Sequence, residues 1–150
     1  MHLILHAGRL LDDVVRASLA EHGLHQGQAR VLDALLEFGP QAVSQLAREL
    51  QIAQPTATVM LKRMEAAGLV SKRTVPGDAR VVLLALTPAG RKAAGHTRET
   101  WKRVQLALNQ LVPTELREHL KTGLAAVRDG LGGRAPTFSA TDQKDDKESK

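Results

Sequence analysis

Residues 44–91 read SQLARELQIAQPTATVMLKRMEAAGLVSKRTVPGDARVVLLALTPAGR, and the order of residue types in this stretch decides the fold. A helix over about 43–50 turns Leu46, Ala47 and Leu50 inward. Gln51-Ile52-Ala53 connects it to a second helix over about 54–67. Pro55 suits the first turn of that helix, where its missing N–H is not needed. Ala57, Met60, Leu61 and Met64 share one face by helical spacing, and Gly68 fits a left-handed C-terminal cap. Two helices across so short a connection make a helix-turn-helix. Leu69 to Thr74 then reads as a strand, Val75-Pro76-Gly77-Asp78 as a tight reversal, and Val81 to Leu86 as the returning strand. The hairpin is a wing on the second helix. Thr87 and Pro88 stand as N-cap and first residue of another helix.

On both sides of this stretch the chain reads as helix. Residues 2–21 place Leu3, Ala7, Leu10, Leu11, Val14, Val15, Ser18 and Leu19 at helical spacing, with Arg9, Asp12, Asp13 and Arg16 opposite. So wide an apolar stripe predicts packing on more than one neighbour, and Gly23 marks its end. A helix over 26–37 buries Ala29, Leu32, Leu35 and Leu36 and stops at Phe38-Gly39-Pro40. Residues 88–110 form a long helix. Thr114 can cap the last one, over about 114–129, which Gly130-Leu131-Gly132-Gly133 ends. Residues 133–150 are small, polar and charged, and read as a disordered tail. The fold class is mainly α with a small β-hairpin wing.

Composition narrows the function. The formal charge is +5 over 150 residues, and residues 44–92 alone carry eight Lys/Arg against three Asp/Glu. Positive charge concentrated on the winged stretch predicts a polyanionic partner, against the alternative of a solvated basic face. Phe38, Phe138 and Trp101 are the only aromatics, too few for a platform that stacks single-stranded bases. Cysteine is absent, which removes disulfides, thiolate metal sites and thiol chemistry. There is no His-Glu-x-x-His, phosphate loop or Gly-x-Ser-x-Gly, so no enzyme, cofactor or metal is expected. The N-terminus lacks a signal peptide's basic start, and no apolar run approaches a membrane span, so a soluble cytoplasmic protein is expected.

The ordered set Leu46-Ala47, Thr56-Ala57-Thr58, Leu61, Arg63-Met64-Glu65, Gly68-Leu69-Val70, Asp78-x-Arg80 and Leu86-Thr87-Pro88-x-Gly90-Arg91 resembles the MarR family of winged helix-turn-helix transcription regulators. The resemblance covers about residues 3–130. It implies a domain over 1–132, with 44–91 as its DNA-binding core and helices 2–22 and 88–130 as dimerisation elements. It further implies a homodimer on a pseudo-palindromic double-stranded operator, with a recognition helix in the major groove and a wing in the minor groove. Relatives are often repressors relieved by a small aromatic or phenolic molecule. This sequence departs from the pattern at Gln51, where relatives often have glycine, at Val59, where an arginine is common, and at Lys62, where an aspartate is common. A left-handed Gln51 would cost roughly 1 kcal/mol. Ala79 interrupts an often paired arginine at the wing.

The candidate DNA-binding residues are Pro55, Thr56, Thr58, Val59, Lys62 and Arg63 on the recognition helix, and Lys72, Arg73, Asp78 and Arg80 on the hairpin. Thr56 and Thr58 can bond bases or phosphates, Val59 can pack on a thymine methyl, and Lys62 and Arg63 can reach phosphate or guanine. Arg80 suits a narrow, A·T-rich minor groove, with Asp78 orienting it or capping the turn. Lys72 and Arg73 would clamp phosphates. The plainer alternatives are a first-turn cap for Thr56, a surface ion pair for Arg63 and ordinary strand charge for Lys72 and Arg73. The resemblance places His6, His22, His25, Arg98 and Trp101 near a subunit and effector region. A metal-responsive regulator using His2 and His6, and a winged-helix module that binds protein, are the other readings. Steep weakening by salt would separate DNA from protein as the partner.

Overall fold

The computed structural model describes residues 2–75 and 78–133, with the backbone alone at 75 and 78–81. The chain divides into two compact units, Met1–Val104 and Gln105–Lys150. The first holds α1 (His2–Ala20), α2 (Gln26–Phe38), α3 (Val43–Leu50), α4 (Gln54–Ala66), β1 (Val70–Val75), β2 (Asp78–Leu86) and most of α5 (Pro88–Leu111). The second holds the end of α5 together with α6 (Thr114–Gly130).

Helix α2 is the centre of the first unit. Ala29, Val31, Leu32, Ala34 and Leu35 are all buried, a wider face than the expected stripe, while Leu36 is only half-buried. A helix covered on so many sides must have its start well defined. His25 supplies that start: its Nδ1 accepts from the Gly27 N–H at 3.4 Å, and the Gln28 side chain accepts from the His25 N–H at 2.9 Å. This is a reciprocal cap of the kind serine or threonine usually makes. Leu46, Ala47 and Leu50 of α3 and Ala57, Leu61 and Met64 of α4 complete the core, as their spacing predicts. Each fully buried Leu or Met contributes about 1.5–3 kcal/mol relative to exposure.

Helices α3 and α4 end in the same way. Ile52 N–H bonds to Ala47 O at 3.0 Å and Gln51 N–H to Arg48 O at 3.1 Å, while Leu69 N–H bonds to Met64 O and Gly68 N–H to Glu65 O, both at 2.9 Å. Both are Schellman closures, which need one left-handed residue. Gly68 takes it at φ 70° without strain, and Gln51 takes it at φ 55° with a side chain to accommodate. The geometry puts α4 on the outside of the unit, three residues beyond the end of α3.

The two strands are antiparallel, with Val70 opposite Leu86 and Thr74 opposite Val82, and with an irregularity between Thr74 and Val75. Gln41 adds a bridge to Leu84, through N–H···O bonds of 3.0 and 2.8 Å, which fastens the α2–α3 connection to the base of the hairpin. Thr87 closes the other side. Its hydroxyl donates to Gly68 O at 2.6 Å and accepts from the Gly90 N–H at 3.0 Å. A Cβ on Gly90 would lie 1.9 Å from Leu69 O, so only glycine fits there. The Leu-Thr-Pro-x-Gly run is thus a clasp that locks α5 against the junction of α4 and β1.

Several expectations change, among them the hairpin: β1 runs on to Val75 and β2 begins at Asp78, where a reversal over 75–78 and a strand from Val81 are expected. In α1 only Val15 and Leu19 are buried, while Leu3 is 79% exposed, Leu10 50% and Val14 51%, so the wide stripe is not covered within one chain. Strand β1 begins at Val70, because the Leu69 N–H is spent closing α4. Thr114 is the first residue of α6 rather than its cap; Pro113 holds the cap position with no side-chain bond. In the second unit no residue of α6 is buried, and Leu116, Leu120, Leu124 and Val127 line one exposed face. The hairpin residues Pro76 and Gly77 and the tail 134–150 lie outside the described residues. No helix among the described residues is long and apolar enough to cross a membrane.

Candidate nucleic-acid interface

Because Ala57, Leu61 and Met64 point inward, the opposite side of α4 faces solvent. Pro55, Thr56, Val59, Lys62 and Arg63 are all exposed there. Among the described residues no carboxylate pairs with Lys62 or Arg63. The ion-pair alternative for Arg63 therefore does not form. Thr56 is not a cap either, since Ala53 holds that position and offers no side-chain bond. The start of α4 thus leaves its first-turn N–H groups uncapped by any side chain, which favours an anion in front of it. Thr58 is half-buried, and its hydroxyl donates to Gln54 O at 2.9 Å. It keeps lone pairs but no free proton.

Strand β1 carries Lys72 and Arg73 beside this helix, both exposed. Lys72 Nζ sits 2.7 Å from Glu65 Oε2, with the two side chains 58% and 35% exposed. A pair this open is worth only a fraction of a kcal/mol, so a phosphate can compete for Lys72. Arg73 has no carboxylate partner among the described residues. The side chains of Asp78 and Arg80 lie outside the described residues; their backbone belongs to β2.

A shallow concavity runs along the helix-turn-helix, lined by Ser44, Ala47, Arg48, Gln51, Ile52 and Gln54. Ser44 and Arg48 of α3 and Gln54 at the start of α4 extend the polar surface and are absent from the candidates that the sequence suggests. A signal for two of them exists in the sequence: Ser44 and Arg48 are four apart on the face of α3 opposite Leu46 and Leu50.

The five residues expected at an effector region are not gathered into that concavity. His25 is the cap of α2. His22 stacks on His96 of α5, with ring centroids 4.8 Å apart. Arg98 donates from Nε to Asp33 Oδ1 at 3.1 Å and from its terminal nitrogen to Glu37. Burial opposes the Arg98 charge, yet these two hydrogen bonds carry its pKa above the ordinary arginine value. Arg98 is thus a tie between α5 and α2. His6 is exposed on α1, and Trp101 is half-buried on α5. No group of three or more His, Cys, Asp or Glu among the described residues could hold a metal.

A basic helix-turn-helix with a hairpin beside it is the frame in which residues 22–81 match the MarR family. Over that span the chain is similar to the MarR family. Over 109 residues it is 28% identical to the HTH-type transcriptional regulator YdgJ of Bacillus subtilis strain 168, a match spanning 73% of this chain and 66% of that one, just under two thirds. The crystal structure of RV1404 from Mycobacterium tuberculosis superposes with a TM-score of 0.70 at 26% identity, covering 87% of this chain and 91% of the other. The S. aureus MepR–DNA complex gives a TM-score of 0.75 at 20% identity, covering 87% and 96%, a likeness of fold. In this winged-helix arrangement α4 is the second motif helix and β1–β2 form the wing.

Proposed function

We propose that this chain is a MarR-type, sequence-specific regulator that binds double-stranded DNA as a homodimer, most simply as a repressor. The observation that carries the reading is the outward face of α4, where Lys62 and Arg63 stand exposed without carboxylate partners among the described residues. The fold it shares with MepR, which has been crystallised with DNA, supports the same reading. In it, α4 enters the major groove of a pseudo-palindromic operator and Arg80 probes the minor groove, with Lys62, Arg63, Lys72 and Arg73 on phosphates. The exposed apolar faces of α1 in one unit and α6 in the other each await a second copy. Relief by a small aromatic ligand would act through α5, by drawing Arg98 away from Asp33 and Glu37. A melting-temperature screen against small aromatic acids tests that part.

The central test is a gel-shift titration of the full chain with duplex DNA from its own upstream region across salt concentrations. Steep weakening with salt is expected. A salt-insensitive protein complex with no shift of duplex would instead favour a protein partner. Full affinity in an Arg80→Ala variant would remove the wing from the reading.

A further inference from the structure

The outermost line of α4 is apolar where a base-reading helix would be expected to carry hydrogen-bonding groups. Counting roughly 100° per residue from Ala57, Leu61 and Met64, Val59 falls almost directly opposite the buried side, and Pro55 lies one turn before it. Lys62 and Arg63 fall on either flank of that line, both exposed. Val59 is 52% exposed and is the large aliphatic residue that α4 leaves in solvent. The neighbouring Thr58 has its hydroxyl proton committed to Gln54 O at 2.9 Å. What α4 presents is a short hydrocarbon ridge between two cations that have no carboxylate partners among the described residues.

The major groove of DNA has a complementary cross-section. Phosphates line both walls, and the apolar group on its floor is the 5-methyl of thymine. A ridge with one cation on each side can set its cations on the two walls and its hydrocarbon on the floor. We infer that Val59 is a specificity determinant that reads the 5-methyl group of a pyrimidine near the centre of each half-site. The group read is the methyl itself, so 5-methylcytosine is read as thymine is, while uracil and unmodified cytosine are not. This rests on the DNA-binding reading above and adds to it the chemical group that is recognised.

The test uses the full chain and duplexes enriched by it from a random pool. Each thymine of a half-site is replaced in turn by deoxyuridine, which deletes only the methyl. At one position per half-site the replacement should weaken binding about fourfold, and about fifteenfold when made in both half-sites, the amount expected for losing burial of one methyl per site. Cytosine placed there should bind about fourfold more weakly than 5-methylcytosine. In a Val59→Ser variant with an unchanged melting temperature, the thymine-to-uracil ratio should fall close to one. Uracil tolerated at every position by the unaltered chain, or a ratio that survives in Val59→Ser, would overturn the assignment and leave DNA binding intact. Failure to enrich any duplex would overturn the DNA-binding reading, and this inference with it.

Discussion

Two residues hold the helix-turn-helix and its clasp in shape by opposite means. Gln51 accepts a left-handed backbone that disfavours any side chain, at φ 55°. Replacing it by glycine should remove that strain and raise unfolding stability by about 0.5–1 kcal/mol, measured by urea denaturation. The gain is smaller than the strain itself, because glycine also loosens the unfolded chain. Gly90 is the reverse case, since a Cβ there meets Leu69 O at 1.9 Å. Gly90→Ala should cost about 2–3 kcal/mol or prevent folding, seen as a fall in melting temperature, because neither backbone can yield. Both positions were legible in part. Gln51 stood out by its place in the turn, and Gly90 by its motif. The contact that demands Gly90 joins it to Leu69 across the hairpin, and no local pattern shows it. His25 was not legible as a cap: the resemblance places it near an effector region, and the structure uses it to start α2.

At the scale of elements, α4 and β1 act together. Their charges are few, so the removal of one should be measurable. Lys62→Ala and Arg63→Ala should each flatten the dependence of log K on log salt by roughly 0.9 for each phosphate left without its cation, twice that for a dimer carrying the change in both copies. Glu65 is the one carboxylate of α4, and it holds Lys72 at 2.7 Å. Glu65→Gln should therefore tighten DNA binding by about threefold at low salt, because it frees Lys72 and removes a negative charge facing phosphate. Unchanged affinity would place Lys72 away from the DNA. Helix limits were legible almost to the residue where proline or glycine stops the chain, as at Pro40, Pro55 and Gly68. The start of β1 slipped, because a backbone bond decides it: the Leu69 N–H turns back to Met64 O at 2.9 Å.

For the whole molecule, the exposed leucines are the main unsettled free energy. Leu116 is 52% exposed, Leu120 47% and Leu124 50%, all on one face of α6, and Leu3, Leu5 and Leu10 are exposed on α1. A surface of this kind normally marks an interface. If it joins two copies, Leu124→Lys should convert a dimer to monomer in sedimentation, and operator affinity should drop at least tenfold through the loss of the second half-site. A chain that sediments as a monomer before any change would exclude the dimer.

The order of elements, the helix stops, the wing and the inward faces of α3 and α4 all follow from the amino-acid sequence read locally. They rest on periodicity and on the fixed preferences of proline and glycine, which act over one or two turns. Which charges are free was settled by packing alone. Arg98 meets Asp33 65 residues away and Glu37 61 residues away, Lys72 meets Glu65 across the α4–β1 turn, and His22 meets His96. Lys62, Arg63 and Arg73 meet no carboxylate among the described residues. A charged side chain finds its partner only after packing has brought distant segments together. Residue type therefore marks where a cation sits, and the fold settles whether it remains available to a phosphate.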